Sequence, residues 1–177
     1  MQKKKIIKTK NISISTSIPA PGTYDLIKKL NKVESRSMHG QLPIVWSKAK
    51  NFNVYDIAGN KFIDFTSTIF VANTGHSNKR IKKYINRSLN SNLIHSYAYI
   101  NQIRATYIEK LIKFSGKGFE KAFLMSAGTE ATEAAFKLMR MYGQKKKKRN
   151  LGIICFEGNW HGRTMAAQMM RGKKKQK

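Results

Sequence analysis

The segment SAGTEATEAAFKLMR, residues 126–140, places small and hydroxylated side chains at the start of a predicted helix. The first backbone N–H groups of a helix lack intrahelical partners, and one capping side chain serves most helices. Gly128 lets a ligand approach the backbone and Thr129 adds a hydroxyl donor, so this pair is suited to bind a phosphate. A structural role is the alternative: Thr129 or the preceding serine caps the helix while Glu130 and Glu133 complement its dipole.

A second candidate lies in the segment EGNWHGRT, residues 157–164, where Trp160 stands in a loop flanked by glycines. Its large flat side chain can cover the face of a planar ring, and the alternative is an aromatic residue that packs against the end of a sheet. His161 is consistent with a hydrogen-bonded loop anchor, and no metal-ligand spacing surrounds it, so no metal site is predicted. A phosphate seat together with a ring cover predicts a phosphorylated planar cofactor.

The elements around these two loops predict a β-α-β unit. The short apolar runs KAFLM (121–125) and LGIICF (151–156) flank a strong helix former, for which Gly143 is the expected stop. A right-handed crossover would lay the two strands parallel in one sheet. Because ligands bind beyond the carboxyl ends of such strands, both candidate loops would face the same crevice.

The upstream sequence predicts an arm, a hairpin and three helices. Residues 1–20 suit a poorly ordered arm that ends in a turn. The alternation in NFNVYDIAGNKFIDF predicts a β-hairpin with Gly59 and Asn60 in its turn. Helical spacing of apolar residues marks three further segments: Leu26, Ile27, Leu30 and Val33; Ile81, Ile85 and Leu89 within 78–94; and Ile103, Tyr107 and Leu111.

The composition is strongly basic, with 35 Lys and Arg against nine Asp and Glu and a formal charge of +26 over 177 residues. Most of the cations are scattered lysines and no aromatic-basic ladder is present, which favours a solvated surface over specific nucleic-acid binding. Nonspecific polyanion binding at low salt is compatible with this surface. The single Cys155 excludes a disulfide framework and a cysteine-based metal site, and no apolar run is long enough to span a membrane. We therefore expect a cytoplasmic protein.

The segments MSAGTEATEAAFKLMR and FEGNWHGRT, with YDIAGNKFIDF and NTGH upstream, together resemble the class III aminotransferases, pyridoxal-phosphate enzymes of fold type I. The similarity runs in the same order from about Gln41 to Gly172. The resemblance implies that Gly128 and Thr129 bind the phosphate of pyridoxal 5′-phosphate and that Trp160 stacks on the pyridine ring. The family usually has Phe or Tyr at the position of Trp160.

The resemblance also implies which reactive groups this sequence lacks. In the family, the Schiff-base lysine and the aspartate that pairs with the pyridine nitrogen lie well C-terminal to this region of a longer chain. No lysine here stands in the family's context, so no catalytic residue is assigned. Transamination needs that lysine to carry the cofactor and to move the α proton of the substrate. We therefore expect an N-terminal fragment of an aminotransferase that is inactive alone.

The expected fold is α/β, the N-terminal part of a fold type I pyridoxal-phosphate-dependent transferase. Residues 1–50 would form an N-terminal arm and helix, residues 51–115 the small-domain hairpin and connecting helices, and residues 116–177 the start of the large cofactor domain with its β-α-β unit. The implied reaction moves an amino group from an amino donor to a keto acid or aldehyde. The full-length enzyme is expected to be a homodimer.

Three apolar residues are candidates for the substrate entrance, but core packing is the favoured role for each: Ile69, Phe70 and Tyr97. Two other function classes stay open. One is a small basic protein that binds nucleic acid, and the other is a noncatalytic partner of full-length relatives.

Overall fold

The computed structural model describes residues 6–149 and 151–172. The first five residues of the predicted arm and the basic segment 173–177 lie outside the described residues. The chain divides into two compact units, with Ser96 as the last residue of the first and Tyr97 as the first residue of the second. We call these unit 1 and unit 2 and describe each by itself.

Unit 1 is built on a five-stranded antiparallel sheet with the strand order β1-β2-β5-β4-β3. The predicted hairpin is confirmed, since β4 pairs with β5 and Gly59 has a φ of 80° in the turn between them. β4 is the most buried strand, with three of its four residues buried, and it lies between β5 and β3. The strands are β1 (Ile7–Lys8), β2 (Ser13–Ile14), β3 (Trp46–Lys50), β4 (Asn53–Asp56) and β5 (Lys61–Ile63).

The expectation of a poorly ordered arm is wrong for residues 6–20, because β2 joins the sheet beside β5. The buried side chain of Asn60 holds this arm. Its Oδ1 accepts the backbone N–H groups of Ser15 at 2.8 Å and Thr16 at 3.2 Å. Its Nδ2 donates to Asp56 Oδ2 at 2.7 Å and to Thr16 Oγ1 at 2.6 Å. The hairpin turn thus supplies the hydrogen bonds that order the arm, and this effect of Asn60 is not visible in the arm's own sequence.

A second buried polar group lies where β5 leaves the sheet. The Asp64 side chain, only 3% exposed, pairs with His76 Nε2 at 2.8 Å. Burial acts to raise the pKa of Asp64, but hydrogen bonds from His76 and Thr66 outweigh it and hold that pKa below its usual value. Reciprocal backbone hydrogen bonds between Asn51 and His76, at 2.9 and 2.7 Å, fasten the segment around His76 to the turn between β3 and β4.

The two helices that the sequence predicts in unit 1 begin where it places them, at Thr23 and Lys79, whereas a short helical turn after the sheet was not predicted. Asn78 caps its helix, because its side-chain oxygen accepts the N–H groups of Arg80 and Ile81. Between the sheet and this helix lies one left-handed turn, Ser67–Phe70, whose four φ values run from 46° to 68°. The left-handed conformation raises the free energy of an L-residue by about 1–2 kcal/mol. The helices are α1 (Thr23–Val33), α2 (Ser67–Phe70, the left-handed turn) and α3 (Lys79–Asn90), and a 3₁₀ turn spans Arg36–Met38.

Unit 2 contains α4 (Gln102–Ser115), α5 (Gly128–Lys145) and α6 (Met165–Met169). The expected stop at Gly143 is wrong, because α5 continues to Lys145. A Cβ at Gly143 would meet the end of the Leu151 side chain, which is flexible and can shift, so this position does not require glycine.

The mixed α/β class is confirmed, but its sheet is antiparallel and lies in unit 1. Residues 121–125 and 151–156, the predicted parallel strands, form no ladder among the described residues. A crossover rule sets the hand of a β-α-β unit but does not require its two strands to be neighbours, and a strand without a neighbour has no ladder. Apolar side chains on both segments remain exposed, 73% for Phe123 and 94% for Ile154. No helix in the described part of the chain is both long and apolar enough to cross a membrane.

We expect Asn60→Ala to lower the free energy of unfolding by about 2–3 kcal/mol, because it leaves buried partners of the amide unpaired. The matched control is Asn31→Ala, which removes an exposed amide from α1. Urea titration followed by circular dichroism measures both variants. Equal stability of the two would show that Asn60 does not hold the arm.

Candidate functional site

The start of α5 is free of side-chain caps. Ala127 occupies the N-cap position, and neither Ser126 nor Thr129 caps the helix through its hydroxyl. The carboxylate of Glu130 turns back instead and accepts the backbone N–H of Ser126 at 2.9 Å. No side chain of residues 6–149 or 151–172 accepts the first helical N–H groups, those of Gly128 and Thr129. An uncapped helix start with its positive dipole end is suited to bind an anion.

The loop that carries Trp160 returns to this helix start. Thr129 Oγ1 lies 2.7 Å from Thr164 Oγ1 and accepts the backbone N–H of Thr164 at 3.4 Å. Gly162 permits the approach: its φ is 126°, and a Cβ there would collide with the Thr129 side chain and lie 3.0 Å from Thr129 Cα. The structure therefore brings the two sequence-predicted loops together at one end of α5.

Glu133, one turn further along α5, fixes the far end of the same loop. Its Oε1 accepts the hydroxyl of Thr164 at 2.6 Å and the backbone N–H groups of Ala166 at 2.9 Å and Ala167 at 3.2 Å. These bonds cap α6, whose own N-cap residue makes no side-chain cap. The hydrogen bond from Thr164, followed by those from the backbone, lowers the pKa of Glu133 below its usual value.

Trp160 is 58% exposed, and guanidinium groups lie over its ring. Arg171 Cζ is 4.1 Å from the ring centroid, and Arg163 Cζ is 5.8 Å away. At 4.1 Å, Arg171 stacks on one indole face, and its buried Nε has no hydrogen-bond partner among the described residues. The two arginines add positive charge beside the flat side chain.

Asn159 anchors the start of this loop to the segment after α6. Its Nδ2 donates to the carbonyl of Met170 at 3.1 Å, and its Oδ1 accepts the N–H of Gly172 at 2.8 Å. Gly172 must be small, since a Cβ would lie 2.6 Å from Glu157 Cα. Both ends of the loop around Trp160 are thus fixed, one by Asn159 and the other by Glu133.

The sequence prediction missed three contributors to this site: Glu133, Gly162 and Arg171. It assigned Glu133 to the dipole of its own helix, whereas the carboxylate caps α6, 31 residues later. The sequence contains one signal for a cap from elsewhere in the chain: the helical segment after Thr164 has no acidic residue in its first turn.

The structure does not bring the three entrance candidates into a core. Ile69 and Phe70 lie in the left-handed turn of unit 1, and their exposed fractions are 79% and 81%. Tyr97 begins unit 2 and is 94% exposed. None of the three is packed in a core among the described residues, and both roles stay predictions for the whole protein. In the described part of the chain, no group of three His, Cys, Asp or Glu side chains is arranged to hold a metal ion.

These residues fit a phosphorylated planar cofactor. Uncapped amides at Gly128 and Thr129 suit the phosphate, and the indole of Trp160 suits a ring. Two groups already have partners in the structure: the Thr129 hydroxyl is bonded to Thr164, and one face of Trp160 carries Arg171. The backbone amides of α5 are therefore the groups most open to a ligand.

Comparison with known proteins identifies the family of the chain. The family described as Aminotransferase class-III matches residues 35–177. The chain is 35% identical over 140 residues to an ornithine aminotransferase of Saccharomyces cerevisiae. The aligned residues make up 77% of this chain and 32% of that protein. The chain is 36% identical over 140 residues to an acetylornithine aminotransferase of Methanocaldococcus jannaschii, with coverage of 77% and 34%.

A solved structure of a Bacillus anthracis aminotransferase is similar in fold, with a TM-score of 0.74 at 25% identity. The similarity covers 87% of this chain and 35% of that one. The chain thus spans about a third of the length of the curated relatives it matches.

The capping role of Glu133 predicts a pH dependence. Because the folded-state pKa is lowered, the cap stabilises α6 at pH values above the unfolded glutamate pKa. This contribution is lost as the pH falls through the lowered folded pKa. We expect the backbone N–H resonances of Ala166 and Ala167 to titrate in NMR spectra with a midpoint below the usual glutamate range. Glu133→Gln should abolish that titration, and a midpoint at or above the usual range would contradict the cap.

Proposed function

This chain belongs to the class III aminotransferase family, and we propose that its protein transfers an amino group from an amino donor to a keto acid or aldehyde with pyridoxal 5′-phosphate as cofactor. The match over residues 35–177 supports the family-level activity. The names of its relatives make ornithine and acetylornithine the first amino donors to test. The activity, substrates and partners of the whole protein remain part of this proposal.

We propose that Gly128 and Thr129 bind the cofactor phosphate and that Trp160 covers the pyridine ring. One observation carries this assignment: the uncapped start of α5 lies where the Trp160 loop is tied to the helix through Thr129 and Thr164. Charge-assisted hydrogen bonds from backbone N–H groups to a phosphate are stronger than neutral ones. Arg163 and Arg171 add positive charge that favours an anionic ligand.

When bound, pyridoxal phosphate supplies an electron sink for the electrons released from the substrate α carbon. The residues of this chain bind and orient that group. Glu133 fixes the loop that carries Trp160, and Asn159 fixes its other end, so the ring cover is held before a ligand arrives. Preorganisation of this kind lowers the entropic cost of binding.

We further propose that none of the 177 residues acts as the catalytic lysine and that the chain alone does not turn over. The support is the family resemblance, in which that lysine has a sequence context that no lysine here shares. We also propose that the full-length enzyme is a homodimer and that its location is cytoplasmic. Support for a reducing compartment is the single Cys155, which has no cysteine with which to form an intramolecular disulfide.

Gly128→Ala separates a phosphate role from a structural one. A Cβ at Gly128 meets no atom within 4 Å, so the substitution should leave the fold intact. The backbone N–H stays, but the added methyl group occupies the space through which a phosphate would approach it. We expect this to weaken binding of pyridoxine 5′-phosphate by roughly 10- to 150-fold, the equivalent of losing about 1.5–3 kcal/mol, one hydrogen bond to a charged group. Pyridoxine phosphate carries an alcohol in place of the aldehyde and forms no imine with surface lysines, so calorimetric titration measures the noncovalent site.

Gly152→Ala is the matched control, since a Cβ there also meets open space. Thr129→Ala would be less informative because Thr129 also bonds Thr164, and Thr129→Ser keeps that hydroxyl. Equal affinities of the Gly128→Ala and Gly152→Ala variants would show that the phosphate does not contact Gly128. Failure of the unsubstituted chain to bind would contradict the proposed site.

Reductive trapping tests the absence of a catalytic lysine. Pyridoxal phosphate followed by borohydride should label many lysines weakly and none selectively, because selective reaction requires an amine with a lowered pKa beside a held phosphate. Peptide mapping by mass spectrometry measures the distribution, and an amino-transfer assay accompanies it. One stoichiometrically labelled lysine with measurable turnover would refute this part of the proposal.

A further inference from the structure

A basic groove of about 930 Å³ lies in unit 1 between β3 and α3. Its lining includes six cations, all with exposed side chains, and no acidic residue. We define the basic groove by these six residues: Lys48, Lys50, Lys79, Lys82, Lys83 and Arg87.

The spacing of these residues places the charges in two facing rows. Lys48 and Lys50 are two apart on β3, so they lie on the same face of the strand. Lys79, Lys82, Lys83 and Arg87 follow helical spacing on α3 and share one face. At 1.5 Å per residue, the helical row is about 12 Å long. A single phosphate can contact only part of this row, whereas an extended polyanion can follow it.

The charges of the groove are not neutralised by ion pairs within the described residues. The two acidic residues of the neighbouring strands are committed elsewhere: Asp56 accepts hydrogen bonds within the hairpin turn, and Asp64 pairs with His76. Lys48 lies over the Tyr55 ring, with its Nζ 5.5 Å from the centroid, a contact with a neutral side chain. Close like charges repel each other, so binding of an anion relieves an unfavourable interaction.

We propose that the basic groove binds the phosphate backbone of duplex nucleic acid without sequence selection. Asn86, Asn90 and Ser77 also line the groove and supply neutral hydrogen-bonding groups for phosphate oxygens. No aromatic residue lines it, so a stacking platform for single-stranded bases is absent from the lining. Within the part of the chain that the structure describes, Ala49 is the one apolar lining residue, and its side chain is too small to insert into a membrane. Five of the six cations are lysines, which contact phosphates as point charges and do not read base edges bidentately.

Fluorescence anisotropy of the full 177-residue chain with a labelled duplex tests this proposal. Six phosphate contacts predict a slope of about −5 in a plot of log affinity against log salt concentration. The affinity should fall on the order of 10³-fold between about 50 mM and about 200 mM salt. Duplexes of different sequence should bind alike.

The groove variant Lys82→Gln/Lys83→Gln removes two adjacent charges from α3 and keeps helix-forming residues. The matched control is Lys28→Gln/Lys29→Gln, an exposed adjacent pair on α1 that is outside the groove and removes the same net charge. We expect the groove variant to lose on the order of 50-fold in affinity at about 0.1 M salt and the slope to fall by about 2, with less than about threefold loss for the control. Circular dichroism checks that both variants fold alike.

Three outcomes would overturn the proposal. Equal losses in the two variants would show that net charge alone binds the duplex. Tighter binding of poly-glutamate than of a duplex would assign the groove to an acidic protein. Absence of binding at about 50 mM salt, where backbone contacts are strongest, would show that the groove is only a solvated surface.

Discussion

The carboxylate of Glu133 is the interaction on which the candidate cofactor site depends. One oxygen atom accepts the Thr164 hydroxyl and two backbone N–H groups of α6, so a single side chain joins the first turns of α5 to the loop that carries Trp160. Without it, α6 would begin with unsatisfied donors, and five residues are too few for a helix to be stable alone. Among the described residues of unit 2, the loop that carries Trp160 is therefore held by a carboxylate at the start of a short helix, and not by a sheet.

Local pairings explain which parts of the fold the sequence predicts. Each of α1, α3, α4 and α5 is specified by residues within itself, and Asn78 and Asn101 cap their helices from the adjacent position. The β4–β5 hairpin has both strands within 11 residues, so alternation and a glycine turn suffice. The ordered arm was not predictable in this way. β2 depends on Asn60, more than 40 residues away, and an amide that follows a turn glycine has no signature of a distant partner.

The candidate site also combines features that local sequence indicates with contacts between residues distant in the sequence. Residue type and local context suggest ligand-binding loops at Gly128, Thr129 and Trp160, and their role in binding a ligand stays a prediction. The contacts that bring these loops together link positions 129 and 164, and 133 and 164, and no periodicity encodes them. Gly162 shows why: a side chain is excluded at this position only because Thr129 packs against it in the folded chain. The flanking segments 121–125 and 151–156 have strand composition but no ladder among the described residues, because a ladder depends on the neighbouring strand as well as on composition.

The scarcity of acidic residues links the fold to its surface. Four of the nine carboxylates, those of Asp56, Asp64, Glu130 and Glu133, accept backbone N–H groups that helix starts and turns would otherwise leave unpaired. Carboxylates used in this way stabilise local structure but do not neutralise the lysine-rich surface. A net charge of +26 then opposes compaction through self-repulsion, which salt or a bound polyanion relieves. Anion binding at the basic groove and stability of the fold are therefore thermodynamically coupled, since a ligand that reduces repulsion in the folded state favours that state.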